Sequence, residues 1–275
     1  MIASRARSAF AAALLAGALP GVAQNPQTLP EGNAYMRTVL GGSRPQDDAI
    51  NDYAYDVEEI REKLDKNGAA TSRETRRSQV YFVRKRPVRR LVSMNDVPLS
   101  PKEQAEVDRK AEAQAKAIAE GRTVSEQPGL RLKLMLDSYE FKTVARETRE
   151  GRPTLVLSFE PGSARPKSSS SERADALSRM LHGRVYIDEV DRRVAYLDAT
   201  SLSGASAGVA TGVKIGNLDV RMEFTAVEDH VWLPRKVETL AVGRAFFFKT
   251  FRVRQTTIYS NYRKFKIDTE EKPVG

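Results

Sequence analysis

Side chains that carry covalent or metal chemistry are scarce in this chain. It has 0 Cys, which excludes disulfides, thiolate metal sites, a thiol nucleophile and lipid attachment at a Cys. It has 2 His, His182 and His230. His182 precedes a glycine at the expected end of a helix, where a cation complements the helix dipole, a structural role. His230 falls in an expected hairpin turn between Asp229 and Val231. Neither belongs to an H-E-x-x-H, a paired-His ligand set or a Ser-His-Asp set. The 36 Asp and Glu are scattered along strands, and no pair stands out as acid and base for glycoside cleavage. No G-x-x-x-x-G-K or G-x-G-x-x-G loop is present. The expectation is a non-enzymatic protein with no catalytic residue, no metal ligand and no cofactor.

What remains is binding by burial of apolar surface. Leu155, Leu157 and Phe159 form one alternating row, and Val220, Met222 and Phe224 form another. Rows without charges on one face of a curved sheet suit an apolar cavity. The competing reading, favoured for any single residue, is core covered by helices. Phe246, Phe247 and Phe248 differ, because consecutive strand residues face opposite sides and three in a row put apolar surface on both. Either both faces are covered there, or one meets a ligand, a membrane or a partner.

These rows must be positioned by strands. Tyr53, Tyr55 and Val57 alternate with Ala54, Asp56 and Glu58, and Asp65-Lys66-Asn67-Gly68 is a hairpin turn. A return strand runs to Val83, Arg84 to Pro87 turns, and Val88–Met94 follows, with Asn95-Asp96 turning into Val97. Later hairpins pair Phe141–Glu147 with Thr154–Phe159, Arg184–Asp188 with Val194–Ala199, and Val220–Val227 with Val231–Val242. Pro234 places that last strand at an edge or on a bulge. Thr256–Ile267 closes the series, giving nine or ten strands without βαβ alternation. Ser201 to Gly216 reads as a mobile loop.

Helices are few and short. Asn33 is positioned to cap Ala34–Leu40, and a second short helix starts near Pro45. Ser100-Pro101-Lys102-Glu103 opens a capped helix that runs to Gly121, with a thin stripe of Val107, Ala111, Ala115 and Ile118. Leu130 to Leu136 reads as a buried helix or inserted loop, and Glu172 to Leu181 as an amphipathic helix.

The N-terminus carries an address. Arg5 and Arg7 precede an apolar run from Ala9 to Leu19, too short for a bilayer, which needs ~20 residues. Pro20 ends it, and Gly21-Val22-Ala23 suits a peptidase cut after Ala23, favoured over an uncut anchor. Export to the periplasm, or secretion, follows. No other segment is long and apolar enough to cross a membrane. Net charge is +9; the Arg and Lys are mixed with Glu and Asp along strands, and no nucleic-acid-binding motif is present. The domain plan is a signal at 1–23, a lead with a short helix at 24–44, a main domain at 45–267 with a helical insertion at 100–121 and a linker at 161–171, and a polar tail at 268–275.

The order of elements resembles the LolA/LolB-like lipoprotein-carrier fold of exported bacterial proteins over residues 45–267. The phrases that carry the resemblance are Tyr53–Val57, Gly151-Arg152-Pro153-Thr154-Leu155-Val156, Gly183-Arg184-Val185-Tyr186-Ile187-Asp188, and Val231-Trp232-Leu233-Pro234 with Val237-Glu238. Thr256-Thr257 and Tyr259-Ser260-Asn261-Tyr262-Arg263-Lys264-Phe265 add to it. The resemblance implies a mainly β fold with short helices: a strongly curved, incompletely closed antiparallel β-barrel wrapped around helices. It also implies a carrier or chaperone for a lipid or a lipoprotein acyl chain. The alternative is an interaction or sensor module with a filled core that contacts another envelope protein. The helix at 101–120, the linker at 161–171 and Arg-rich strands depart from the carriers, and no cargo-contacting residue of theirs is placed here.

Overall fold

The computed structural model describes residues 28–41, 46–122, 139–162, 180–202, 207–210, 212–227, 230–246 and 249–264. The expected signal, Leu130 to Leu136, the linker, most of Glu172 to Leu181, Phe247, Phe248 and the C-terminal tail lie outside these residues.

The described residues form one antiparallel sheet of twelve strands. In chain order they are β1 (Tyr53–Leu64), β2 (Ala70–Val83), β3 (Arg86–Met94), β4 (Val97–Pro98), β5 (Tyr139–Arg149), β6 (Arg152–Pro161), β7 (Leu181–Asp188), β8 (Arg193–Ser201), β9 (Ala207–Ala210), β10 (Val213–Ala226), β11 (Trp232–Ala245) and β12 (Lys249–Lys264). Their spatial order is β4-β3-β2-β1-β12-β11-β10-β8-β7-β6-β5, with β9 paired to β10. No ladder joins β4 to β5 among the described residues, so the sheet is open. Register shifts in β1–β2, β2–β3, β5–β6, β7–β8 and β10–β11 bend and twist it. One shift falls where Glu223 pairs Lys236 but Phe224 pairs Pro234. Arg235 is the extra residue, so Pro234 marks a bulge in a central strand.

Three helices accompany the sheet among the described residues: α1 (Gly32–Leu40), α2 (Gln46–Ala49) and α3 (Pro101–Ala119). The cap of α1 is Glu31, not Asn33. Its carboxylate accepts from the Asn33 and Ala34 backbone N–H groups, which hold it below the usual carboxylate range. Asn33 is committed elsewhere, accepting from Phe141 N at 2.7 Å and so pinning α1 to the β5 edge. Gly32 permits this approach, since a Cβ there would meet the Phe141 carbonyl and lie 2.8 Å from Lys142 Cα. The capping box on α3 is as expected: the Ser100 hydroxyl accepts from Glu103 N, and the Glu103 carboxylate accepts from Ser100 N.

The two faces of the sheet are covered differently. Residues opposite each other in a ladder share a face, so Leu157, Val185, Leu197, Met222 and Val237 form one row across five strands. Met36 and Val39 of α1 close over this inner face. Ala49 of α2 packs with Tyr53 and Leu233 farther along. Tyr55, Val57 and Val80 gather Phe82, Tyr259 and Tyr262 around them. α3 lies on the outer face, where Ala111 and Ile118 meet Val88, Tyr81 and Val83.

Two expectations need correction. Ser201 to Gly216 is not a loop throughout: β9 and the start of β10 lie within it. Leu181 and His182 are not a helix end. They open β7, where His182 pairs with Thr200, so the helix-dipole role for His182 falls away.

Candidate functional site

The two apolar rows expected to form a cavity are brought together on the inner face. Leu155 and Leu157 are 0 % exposed, Phe159 1 %, Val220 5 %, Met222 3 % and Phe224 8 %. All six belong to the cluster that Met36 and Val39 close over. They are packed core beneath α1. Phe246 stands apart at the β11–β12 turn, 66 % exposed.

The inner face does not end at α1. One register step beyond Val220, Leu218 faces Ala241 and Ala241 faces Val253. Ile215 faces Gly243, which faces Phe251. Ile215, Leu218, Ala241, Phe251 and Val253 are all half-buried, and the first two also touch the closed core. An apolar strip thus continues from the core across β10, β11 and β12. It ends in charge: Val253 faces Lys63 on β1, which is exposed.

A second constellation gathers polar chemistry at the opposite end of the strands. Arg152 begins β6, Asp188 ends β7, Asp191 sits in the β7–β8 turn, His230 lies just before β11 and Trp232 opens it. The Arg152 guanidinium donates to both Asp188 oxygens and, at 2.6 Å, to Asp191 Oδ2. Trp232 Nε1 donates to the same Asp191 oxygen at 2.8 Å, and the Arg152 guanidinium lies 5.6 Å from the centre of the Trp232 ring. His230 Nδ1 is 3.2 Å from Asp191 Oδ1. The side chains of Asp188 and Asp191 are 1 % and 8 % exposed. Burial pushes the Asp188 carboxyl up. Hydrogen bonds from Arg152 and from the Asp191 and Val190 backbones outweigh it, holding the group below the usual carboxylate range. The same pairing with Asp188 holds Arg152 above its ordinary value.

A cleft of about 40 Å³ adjoins this cluster, lined in part by Arg149, Tyr196, Glu223 and Arg235. Arg149 lies 4.3 Å from the Tyr196 ring centre and 5.2 Å from that of Tyr186. This is the chemistry of a clamp. Both Asp188 oxygens and Asp191 Oδ2 accept from Arg152 or Trp232. Sequence reasoning missed the cluster, because its members come from three turns. Among the described residues no group of His, Asp and Glu is arranged to hold a metal ion, and no helix is long and apolar enough to cross a membrane.

No family model matches the chain, and no curated protein matches it in sequence. Solved structures match most of the chain's length at low identity. One is a lipoprotein-sorting protein domain from Vibrio parahaemolyticus, with 13% identity and a TM-score of 0.40, covering 87% of this chain and 94% of that one. Another is a LolA superfamily protein from Nitrosomonas europaea, with 11% identity and a TM-score of 0.34, covering 84% and 94%. A third is a DUF1329 family protein from Desulfovibrio piger, with 9% identity and a TM-score of 0.39, covering 86% and 94%.

Proposed function

We propose that this protein is an exported, non-enzymatic carrier that holds a single apolar chain, such as a lipid acyl group, against its inner face. The observation that supports this reading is the half-buried strip of Ile215, Leu218, Ala241, Phe251 and Val253 continuing from a closed core. A methylene laid on such a strip and removed from water contributes about 0.8 kcal/mol. Eight of them contribute roughly 6 kcal/mol before the cost of association. Lys63, across from Val253, stands where an anionic head group would lie.

The test is native mass spectrometry of protein purified without detergent, alongside uptake of a fluorescent fatty acid. The parent should carry acyl adducts and take up the probe. Ala241→Glu and Val253→Glu, which leave the closed core intact, should lose both. A parent with no adduct and no uptake, or glutamate variants that bind as well, would overturn the carrier reading.

A second reading has its own observation. The six rows-forming residues Leu155, Leu157, Phe159, Val220, Met222 and Phe224 are fully packed, as in an interaction module with a filled interior. An unliganded parent would favour it.

A further inference from the structure

We infer that the end of the sheet carrying Lys66, Lys214, Arg244, Phe246 and Lys249 docks onto an anionic lipid bilayer surface. Its boundary is the row Glu62, Arg254, Leu240 and Asp219, which face one another across β1, β12, β11 and β10. In that row the charges have partners, Arg254 lying 3.4 Å from Glu62 and Asp219 accepting from the Thr200 hydroxyl. Beyond it the described residues carry six cations: Lys63, Lys66, Lys214, Arg244, Lys249 and Arg252. They carry one carboxylate, Asp65, and that is consumed by its own turn, accepting from Asn67 N and Ala69 N. None of the six cations makes an ion pair among the described residues. Five are exposed and Arg252 is half-buried. Elsewhere on the sheet several Arg are matched, Arg221 with Asp198, Arg77 with Glu58 and Arg146 with Glu189, whereas among the described residues no cation of the tip is.

The apolar part of the tip selects the partner. Phe246 has a φ of 51°, a conformation rare for a bulky residue. Its N–H donates to the Gly212 carbonyl at 2.5 Å, which fixes it in the turn. The ring is 66 % exposed, and Phe251 is half-buried on the adjoining strand. A soluble polyanion needs the cations and gains nothing from an outward Phe. A bilayer of anionic lipid uses both, the cations at the phosphates and the ring at the boundary with the acyl chains.

The test is co-sedimentation with vesicles of phosphatidylcholine, with and without phosphatidylglycerol, using the chain as the cell processes it. The N-terminus is the same in every variant, so differences report the tip. The parent should bind the anionic vesicles, weaken with salt and largely ignore the zwitterionic ones. Replacing Lys214, Arg244 and Lys249 together by Gln should lower affinity roughly 100-fold. Replacing Lys102, Arg109 and Lys116 of α3, an equal loss of charge on the outer face, should change it less than about 3-fold. Phe246→Ser should lower vesicle affinity while leaving retention on heparin unchanged. The inference is overturned if the α3 triple variant loses as much as the tip triple variant, if the parent does not distinguish the two vesicles, or if Phe246→Ser binds vesicles like the parent. In that last case the tip serves a soluble polyanion.

Discussion

Arg152→Met tests whether the buried carboxylates are held by one guanidinium. Asp188 is 1 % and Asp191 8 % exposed at the side chain, and Arg152 donates to both. Removing one partner of a buried pair costs about 3–5 kcal/mol, because the other is left charged and unpaired. Arg152 itself is 34 % exposed, and Asp188 keeps the Asp191 N–H at 2.7 Å, so the low end applies, about 3 kcal/mol. That lowers Tm by roughly 6–12 °C at 2–4 °C per kcal/mol. The pH dependence follows from the same geometry. In the parent the Asp188 carboxyl is held below its ordinary 3.8. Its contribution is therefore fully present above that pH and is lost as pH falls through the lower folded value. In Arg152→Met the hydrogen bonds and charge of the guanidinium are gone, so the Asp188 carboxyl rises from its parent position and the deficit narrows as pH falls from 7 toward 4. Urea unfolding of parent, Arg152→Met, Asp188→Asn and the double variant measures this as a cycle. The double variant should recover most of the loss. A coupling below about 0.5 kcal/mol, or a deficit independent of pH, would refute the clamp.

Three further outcomes are expected. Met36→Ala opens a void where α1 closes the core, since Met36 is 1 % exposed; a loss of about 3 kcal/mol in denaturant unfolding is expected, and no loss would mean that α1 does not seal the inner face. Gly183→Ala places a Cβ against the Asp198 carbonyl and 2.8 Å from Ala199 Cα; with backbone as the obstacle, the β7–β8 ladder must shift, costing about 3 kcal/mol, and an unchanged midpoint would contradict the close approach. Ser100→Ala removes the acceptor for Glu103 N, costing about 1 kcal/mol; faster amide exchange confined to α3 is the signature, and exchange spreading into β5–β8 would show that α3 is part of the main core.

The hairpins were legible because their signals are local. Asp65-Lys66-Asn67-Gly68 supplies the positive φ of 86° at Gly68, and alternation from Tyr53 puts Tyr53, Tyr55 and Val57 on the buried side. Ser100-Pro101-Lys102-Glu103 states a helix start in four residues, and the capping box is there. Failures came where structure depends on distant pairing. The Gly-, Ser- and Ala-rich stretch 201–216 has no apolar alternation, yet β9 exists because Val213, Lys214 and Ile215 offer it a partner. Leu181 continues an apparent helical stripe, but pairing with Ser201 makes it strand. Of the candidate residues, Leu155, Leu157 and Phe159 were read as one row and Val220, Met222 and Phe224 as another; the ladders bring the two rows into one cluster. Whether a helix covers that face is decided by where Met36 lands, which no spacing within the rows encodes. The Arg152 clamp was invisible for the same reason, as Arg152, Asp191 and Trp232 are neighbours only after three turns converge.

The register also explains why the open part of the inner face lies where it does. Followed from β6 toward β2, the row Leu157, Val185, Leu197, Met222 and Val237 passes to Thr257, Glu59 and Arg76. The row beside it passes from Phe159 through Ala199 and Val220 to Thr239, Gln255, Arg61 and Glu74. Each row is apolar on β6–β8, mixed on β11–β12 and charged on β1–β2. A helix that buries apolar side chains gains most over the first group and would strand ions over the last, so α1 settles on the β5–β8 side. Over β1–β2 part of the inner-face charge is paired within the sheet, as where Arg89 meets Glu59 and Arg76 meets Glu74, each at 2.6 Å, and α3 takes the outer face instead. The strands between, β10 to β12, are too apolar to be a solvated surface and are only half covered among the described residues. A ligand that is apolar at one end and anionic at the other matches that gradient in one orientation, with its chain toward Leu218 and its charge toward Lys63.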